Sequence, residues 1–115
     1  MTLCTSGDNY SNHTIAVSAY DWFNRFSAYE FKQKEIEVHY CDLTDDNVKG
    51  WCEQVDDDSW LVHVDKDLDN EEHYRTLFHE FTHVVQDIFG RKDPDQREHE
   101  AYQIEETMYS DMCAT

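Results

Sequence analysis

Basic residues are scarce in this sequence: nine Lys and Arg stand against 26 Asp and Glu, a formal net charge of −17. A surface of that sign repels phosphates, so no nucleic-acid partner is expected. Long apolar runs are missing as well. The mean hydropathy is −0.86, and nothing approaches the ~20 consecutive apolar residues of a membrane-spanning helix, so no membrane partner is expected either. Residues Met1 to Asp8 carry neither a basic start nor an apolar stretch. No secretory leader is therefore read, and a cytoplasmic location is the expectation. Cys4, Cys41, Cys52 and Cys113 contain no C-x-x-C pair; a thiolate zinc site has little support, and reduced thiols are expected in a cytosol. Cys41 and Cys52 are read as buried thiols that could face each other on neighbouring strands. Three Gly and one Pro are all the chain has, and they fall at element boundaries. No repeat or low-complexity segment is visible.

What is present is aromatic mass: seven Tyr, six Phe and three Trp in 115 residues. A chain of this length makes one domain, 1–115, expected as a monomer, that buries roughly two-thirds of its surface on folding. Residues 1–11 read as a loose N-terminus. Over 14–30, Ile15, Ala19, Trp22, Phe23 and Phe26 recur at helical spacing, and the stripe Trp22, Phe23, Phe26 is assigned to the core. The alternation of 35–40 suits a half-buried strand. A turn at 45–47, a second strand over 48–55, a turn at 56–59 and a third strand over 60–64 follow. Asp69 is a candidate N-cap, with Glu72 completing a capping box, for a helix from 70 to 89 that Gly90 stops. Asp93-Pro94-Asp95-Gln96 restarts a helix that runs to about 110. The order is helix, three strands, two helices.

The segment His79-Glu80-Phe81-Thr82-His83 carries the chemistry. Histidines at i and i+4 lie one turn apart on one helical face, and both imidazoles can reach one Zn²⁺ at ~2.0–2.1 Å. Glu80 is offset by about 100° and reaches the edge of the site without ligating, as a base for water needs. Seven His and eleven Glu in the chain make roughly 0.04 such matches expected by chance. Leu77, Phe81, Val84 and Ile88 form the apolar side of this helix, with Phe78, Val85 and Phe89 beside them; His79 and His83 project opposite, with Thr76 and Gln86.

A third ligand is required. Gln86 and Phe89 stand where a metzincin would have Gly and His, so that class is excluded. Glu98, His99, Glu100 and Glu105 on the next helix remain. With Glu98 at 0°, the apolar Ala101, Tyr102, Met108 and Tyr109 cluster around it, and Glu105 falls at about 340°, one layer along. His99 at about 100° and Glu100 at about 200° point away. Glu98 is therefore the expected ligand, Glu105 a residue that orients a ligand, and Glu100 a solvated acid kept as an alternative.

At this point the sequence resembles the gluzincin metallopeptidases, and among them the small minigluzincin and phage-encoded types. The resemblance covers roughly residues 59–110. It rests on Trp60 to Val64 before the helix, on Thr76 to Gln86, and on Arg97-Glu98-His99-Glu100-Ala101-Tyr102, which corresponds to a family pattern Glu-x-x-Ala-Asp with Glu as third ligand. Tyr102 stands in place of the Asp that orients a zinc-bound His, and its hydroxyl is the candidate for that role. The resemblance implies an α+β fold: an N-terminal helix, a small three-stranded twisted sheet, the active-site helix and a glutamate helix. It implies a substrate extended along an edge strand, for which Trp60–Asp65 is the candidate.

The expected activity is zinc-dependent peptide-bond hydrolysis of a peptide or protein substrate, in the host cytoplasm if the chain is phage-encoded. Zn²⁺ sits on His79, His83 and Glu98, and Glu80 acts as general base toward activated water. Tyr74, Tyr102, Tyr109, His63 and His73 are candidate oxyanion donors; His13, His39 and His73 otherwise read as isolated surface residues. The alternative is an acidic, metal-bound interaction or inhibitor module that mimics DNA without proteolysis.

Overall fold

The computed structural model describes residues 2–6, 10–26 and 34–114. The chain builds β1 (Thr2–Ser6), α1 (Tyr10–Phe26), β2 (Glu35–Cys41), a 3-10 turn (Thr44–Asp46), β3 (Gly50–Asp56), β4 (Ser59–Asp65), α2 (Asn70–Ile88) and α3 (Pro94–Ala114). The α+β order of helix, three strands and two helices is the one expected. Boundaries differ at both ends of the chain, and α3 runs on to Ala114, past the expected stop near Ser110. Within the segment read as loose, Thr2–Ser6 add a parallel strand beside β2 and α1 begins at Tyr10. The rest of the helix expected to residue 30, and the Phe26 side chain, lie outside what is described.

The sheet is mixed, in the order β1-β2-β4-β3. β1, β2 and β4 run parallel, and β3 is antiparallel to β4. One face alternates cleanly: Ile36, Val38 and Tyr40 of β2 and Trp60, Val62 and Val64 of β4 are buried, as period-2 patterning requires. Against this face lies α2, which is buried continuously from Thr76 to Gln86. Packed against α2, α1 brings Ala16, Ala19 and Phe23 into the core, and the Phe23 and Tyr20 rings meet Phe81 edge-on at 5.7 and 5.8 Å. The core role of the aromatic stripe holds for Phe23, with Trp22 at its margin.

The register makes two corrections. β4 is an interior strand, hydrogen-bonded to β2 on one side and β3 on the other, so its backbone groups have no room for an added peptide. The edge near α2 belongs to β3, whose polar Glu53, Gln54 and Asp56 are exposed, as suits an edge. Cys41 and Cys52 are also kept apart, since β4 lies between their strands: Cys41 opposes Asp65, and Cys52 opposes Val62. Cys52 and Cys113 are free thiols.

Helix punctuation follows the sequence closely. Asp69 accepts from the Glu72 amide at 2.8 Å, while the Glu72 side chain pairs with Lys49 instead of closing the box. After the C-cap Phe89, Gly90 takes φ +71°. Its N–H donates to Asp87 O at 3.1 Å, and the Arg91 N–H donates to Gln86 O at 3.0 Å, the paired bonds of a Schellman stop. Asp93 Oδ1 accepts from the Asp95 amide at 3.0 Å, and α3 turns back along α2.

Candidate metal centre

One turn of α2 sets the His79 and His83 rings 4.8 Å apart, nearly perpendicular. Glu98, in the first turns of α3, reaches across to both. Its Oε1 lies 2.8 Å from His83 Nε2 and its Oε2 lies 3.3 Å from His79 Nε2. Ligands at ~2.0–2.1 Å around a tetrahedral ion are separated by about 3.3 Å. One donor atom from each of His79, His83 and Glu98 lies within 4.8 Å of the other two. Two imidazole nitrogens and a carboxylate oxygen form a donor set that suits zinc, so the residues present fit the ion.

The far side of each ring is occupied. His79 Nδ1 is 3.0 Å from Glu105 Oε1, and an ionised carboxylate only accepts, so the proton belongs on Nδ1. His83 Nδ1 is 2.8 Å from Gln86 Oε1. Gln86 Nε2 is committed to two acceptors, Arg97 O at 3.0 Å and Glu100 Oε1 at 2.9 Å, so its oxygen must face His83. Both rings are thereby set with Nε2 lone pairs toward Glu98, as outer partners do for ligating His.

The helix hairpin that carries these groups is tied at its turn. Asp87 accepts from Trp60 Nε1 at 3.0 Å and from Arg97 Nη1 at 2.7 Å. Arg97 also donates to Arg91 O at 2.8 Å. Strand β4, the end of α2 and the start of α3 therefore meet beside Glu98.

Glu80 is 5% exposed. Burial pushes its carboxyl up to about 7; nearby His79 opposes the shift, and the charges of Glu98 and Glu105 add to it. Burial works against a charge on His79, yet the bond to Glu105 and the neighbouring carboxylates of Glu80 and Glu98 carry it above its ordinary value. Glu80 and the ligands open into a cleft of about 680 Å³, bounded by Lys49, Gly50, Trp51 and Cys52 at the β3 edge and by Glu98, Tyr102 and Glu105 on α3. Burial and Glu80 hold the Cys52 thiol well above its usual range, so it stays protonated. Gly50 allows the edge to come this close: a Cβ there would sit 2.7 Å from Thr76 Cγ2 and 2.8 Å from His63 O.

The structure brings together His79, Glu80, His83, Glu98 and Glu105. Tyr102 lies in the cleft, but the orienting bond to His79 comes from Glu105. Tyr102 offers its ring instead, edge-on to His79 at 4.6 Å, and is 61% exposed. Glu100 does not reach the ligand cluster; it holds Gln86 and Arg91, and those two bonds lower its carboxyl. His99 is exposed. Among the oxyanion candidates, Tyr102 alone lines the cleft. Tyr74 packs on Phe78, Tyr109 lies under Arg75, and His63 stacks on Trp51. His73 is not a surface residue: it is 2% exposed, with Nε2 2.6 Å from the Tyr40 hydroxyl. Gln86 is the residue that sequence reasoning left without a role. Its place three residues after His83 on the histidine face was the available signal.

Comparison with protein-family models, with curated proteins and with solved structures finds no match to this chain.

Proposed function

We propose that this chain is a zinc-dependent peptidase of the gluzincin type, acting on a peptide or protein substrate. The observation that carries the reading is the convergence of His79 Nε2, His83 Nε2 and the Glu98 carboxylate beside a buried Glu80. A zinc ion held by these three residues supplies Lewis acidity, polarising a carbonyl and acidifying water. The remaining work belongs to side chains. A Glu80 carboxylate matched to neutral pH takes a proton from water and returns it to the leaving amide nitrogen. The Tyr102 hydroxyl, at the cleft wall, donates to the developing oxyanion. The free edge of β3 offers backbone groups to an extended chain. The work is assigned to the cytoplasm, in keeping with the free thiols of Cys52 and Cys113. Among the described residues, no helix is long and apolar enough to cross a membrane.

The test is zinc content by elemental mass spectrometry together with cleavage of an unfolded polypeptide. About one zinc per chain is expected, lost in Glu98→Ala and retained in Glu100→Ala. Glu80→Gln keeps the metal and loses ~10²-fold or more in cleavage. A chain that takes up no zinc ends the reading.

A second reading, an acidic metal-bound interaction module, draws on the ion pairs. Lys34, Lys49, Lys66, Arg75, Arg91 and Arg97 are each tied to a carboxylate, and the chain as a whole keeps a large surplus of acid, a formal net charge of −17. Such a module keeps its partner binding in full when Glu80 becomes Gln.

A further inference from the structure

Gln86 is 1% exposed and uses every hydrogen-bonding position of its amide except one acceptor lone pair. Its Oε1 meets His83 Nδ1 at 2.8 Å on α2. Its Nε2 donates to the backbone carbonyl of Arg97 at 3.0 Å and to Glu100 Oε1 at 2.9 Å, both on α3. Arg97 immediately precedes Glu98, so one buried amide touches a histidine ligand on one helix and the backbone next to the carboxylate ligand on the other. Glu100 is held in turn by Arg91 Nη1 at 2.6 Å, from the turn between the helices. We propose that Gln86 is a positioning residue that sets the His83 and Glu98 ligands against each other and thereby tunes the affinity and geometry of the metal centre. The inference rests on the metal reading above. A hydrophobic side chain of the same length can fill the space, but it leaves the His83 N–H, the Arg97 carbonyl and Glu100 without their partner. Glutamate keeps an oxygen for His83 and loses both donated bonds to α3, placing a second carboxylate against Glu100.

The experiment uses the full chain stripped of metal and titrated with Co²⁺ alone, followed by visible absorption, with Zn²⁺ affinity measured by competition with a chromogenic chelator. Wild type, Gln86→Leu, Gln86→Glu and Glu100→Gln are compared, and the melting temperature of each metal-free protein is recorded. Both Gln86 variants are expected to lose 10–100-fold in affinity and to change the intensity of the cobalt bands. Glu100→Gln still accepts from Gln86 and stays within about threefold. Gln86 variants that melt earlier but bind both metals like wild type, with the same cobalt spectrum, would show a packing residue and overturn the proposal. If Gln86→Leu fails to fold, Gln86→Glu, which conserves volume, decides alone. A wild-type chain that takes up neither metal removes the metal reading and this inference with it, an outcome distinct from any seen in the variants.

Discussion

His79 Nδ1 lies 3.0 Å from Glu105 Oε1 on the neighbouring helix, and this contact leaves Nε2 as the ring nitrogen that faces Glu98. Glu105 stands seven residues after Glu98, two turns along the same face of α3, so in the proposed metal centre one helix supplies both a ligand and the group that aims another ligand. Glu105→Ala is expected to weaken zinc binding 10–100-fold while the fold persists. Glu105→Gln, which still accepts from Nδ1, should recover most of that loss. Chelator competition on the two variants checks it; equal affinity in Glu105→Ala and wild type would remove the orienting role.

A zinc ion held as proposed by His79, His83 and Glu98 would also join α2 to α3. A ligand that binds only the folded chain stabilises it by about 2.7 kcal/mol at a free concentration of 100 Kd, a shift of about 10 °C for a domain of this size. Calorimetry with and without excess chelator should show a drop of that order in wild type and none in Glu98→Ala. Superimposable wild-type transitions would mean that the histidine pair holds nothing.

Much of this arrangement is legible in the sequence because it is local. The histidine spacing, the Asp69 cap, the Gly90 stop and the Pro94 restart are all set by residues within a few positions of one another, and the structure follows them. Helical periodicity puts Glu98 and Glu105 on one face of α3, and the family resemblance points to the same Glu98. Strand order is different, because it is decided by pairing across the chain. Trp60–Asp65 has the appearance of an independent strand, yet it is flanked on both sides. The exposed polar residues of β3, Glu53, Gln54 and Asp56, were the sign of the true edge. Thr2–Ser6 has too few apolar residues to announce a strand and owes its form to β2. His73 lies four residues before Leu77, on the apolar face of α2, and periodicity would have placed it inside. The three-way role of Gln86 depends on the Arg97 carbonyl, which no side-chain pattern records.

At Gly50, β3 lies close against Thr76 of α2. Alanine there meets Thr76 Cγ2 at 2.7 Å and the His63 carbonyl at 2.8 Å, and overpacking of this kind costs about 1–3 kcal/mol. Gly50→Ala should lower the unfolding free energy from urea titration by that amount. Adding Thr76→Ser removes the methyl but not the carbonyl, so the pair should show a favourable coupling of about 0.5 kcal/mol or more. Strict additivity of the two substitutions would place the strain elsewhere.

His73 has a pH signature. Burial lowers its pKa from 6.5 to about 4, where the neutral ring shares its 2.6 Å hydrogen bond with Tyr40 and the Tyr40 hydroxyl also donates to Asn12 O at 3.2 Å. The folded-state value lies below the unfolded one, so between them the unfolded chain binds more protons. This contribution to stability is complete above pH 6.5 and is lost as pH falls toward 4, at about 1 kcal/mol per pH unit. Urea midpoints for wild type and His73→Gln, both measured in chelator so that the metal ligands are silent in the comparison, should separate the effect from that of the carboxylates. The variant is less stable at pH 7 because it gives up the Tyr40 contact, and the gap closes as pH approaches 4. A gap that is constant from pH 7 to 4 would mean that His73 carries the same charge folded and unfolded and would overturn the prediction.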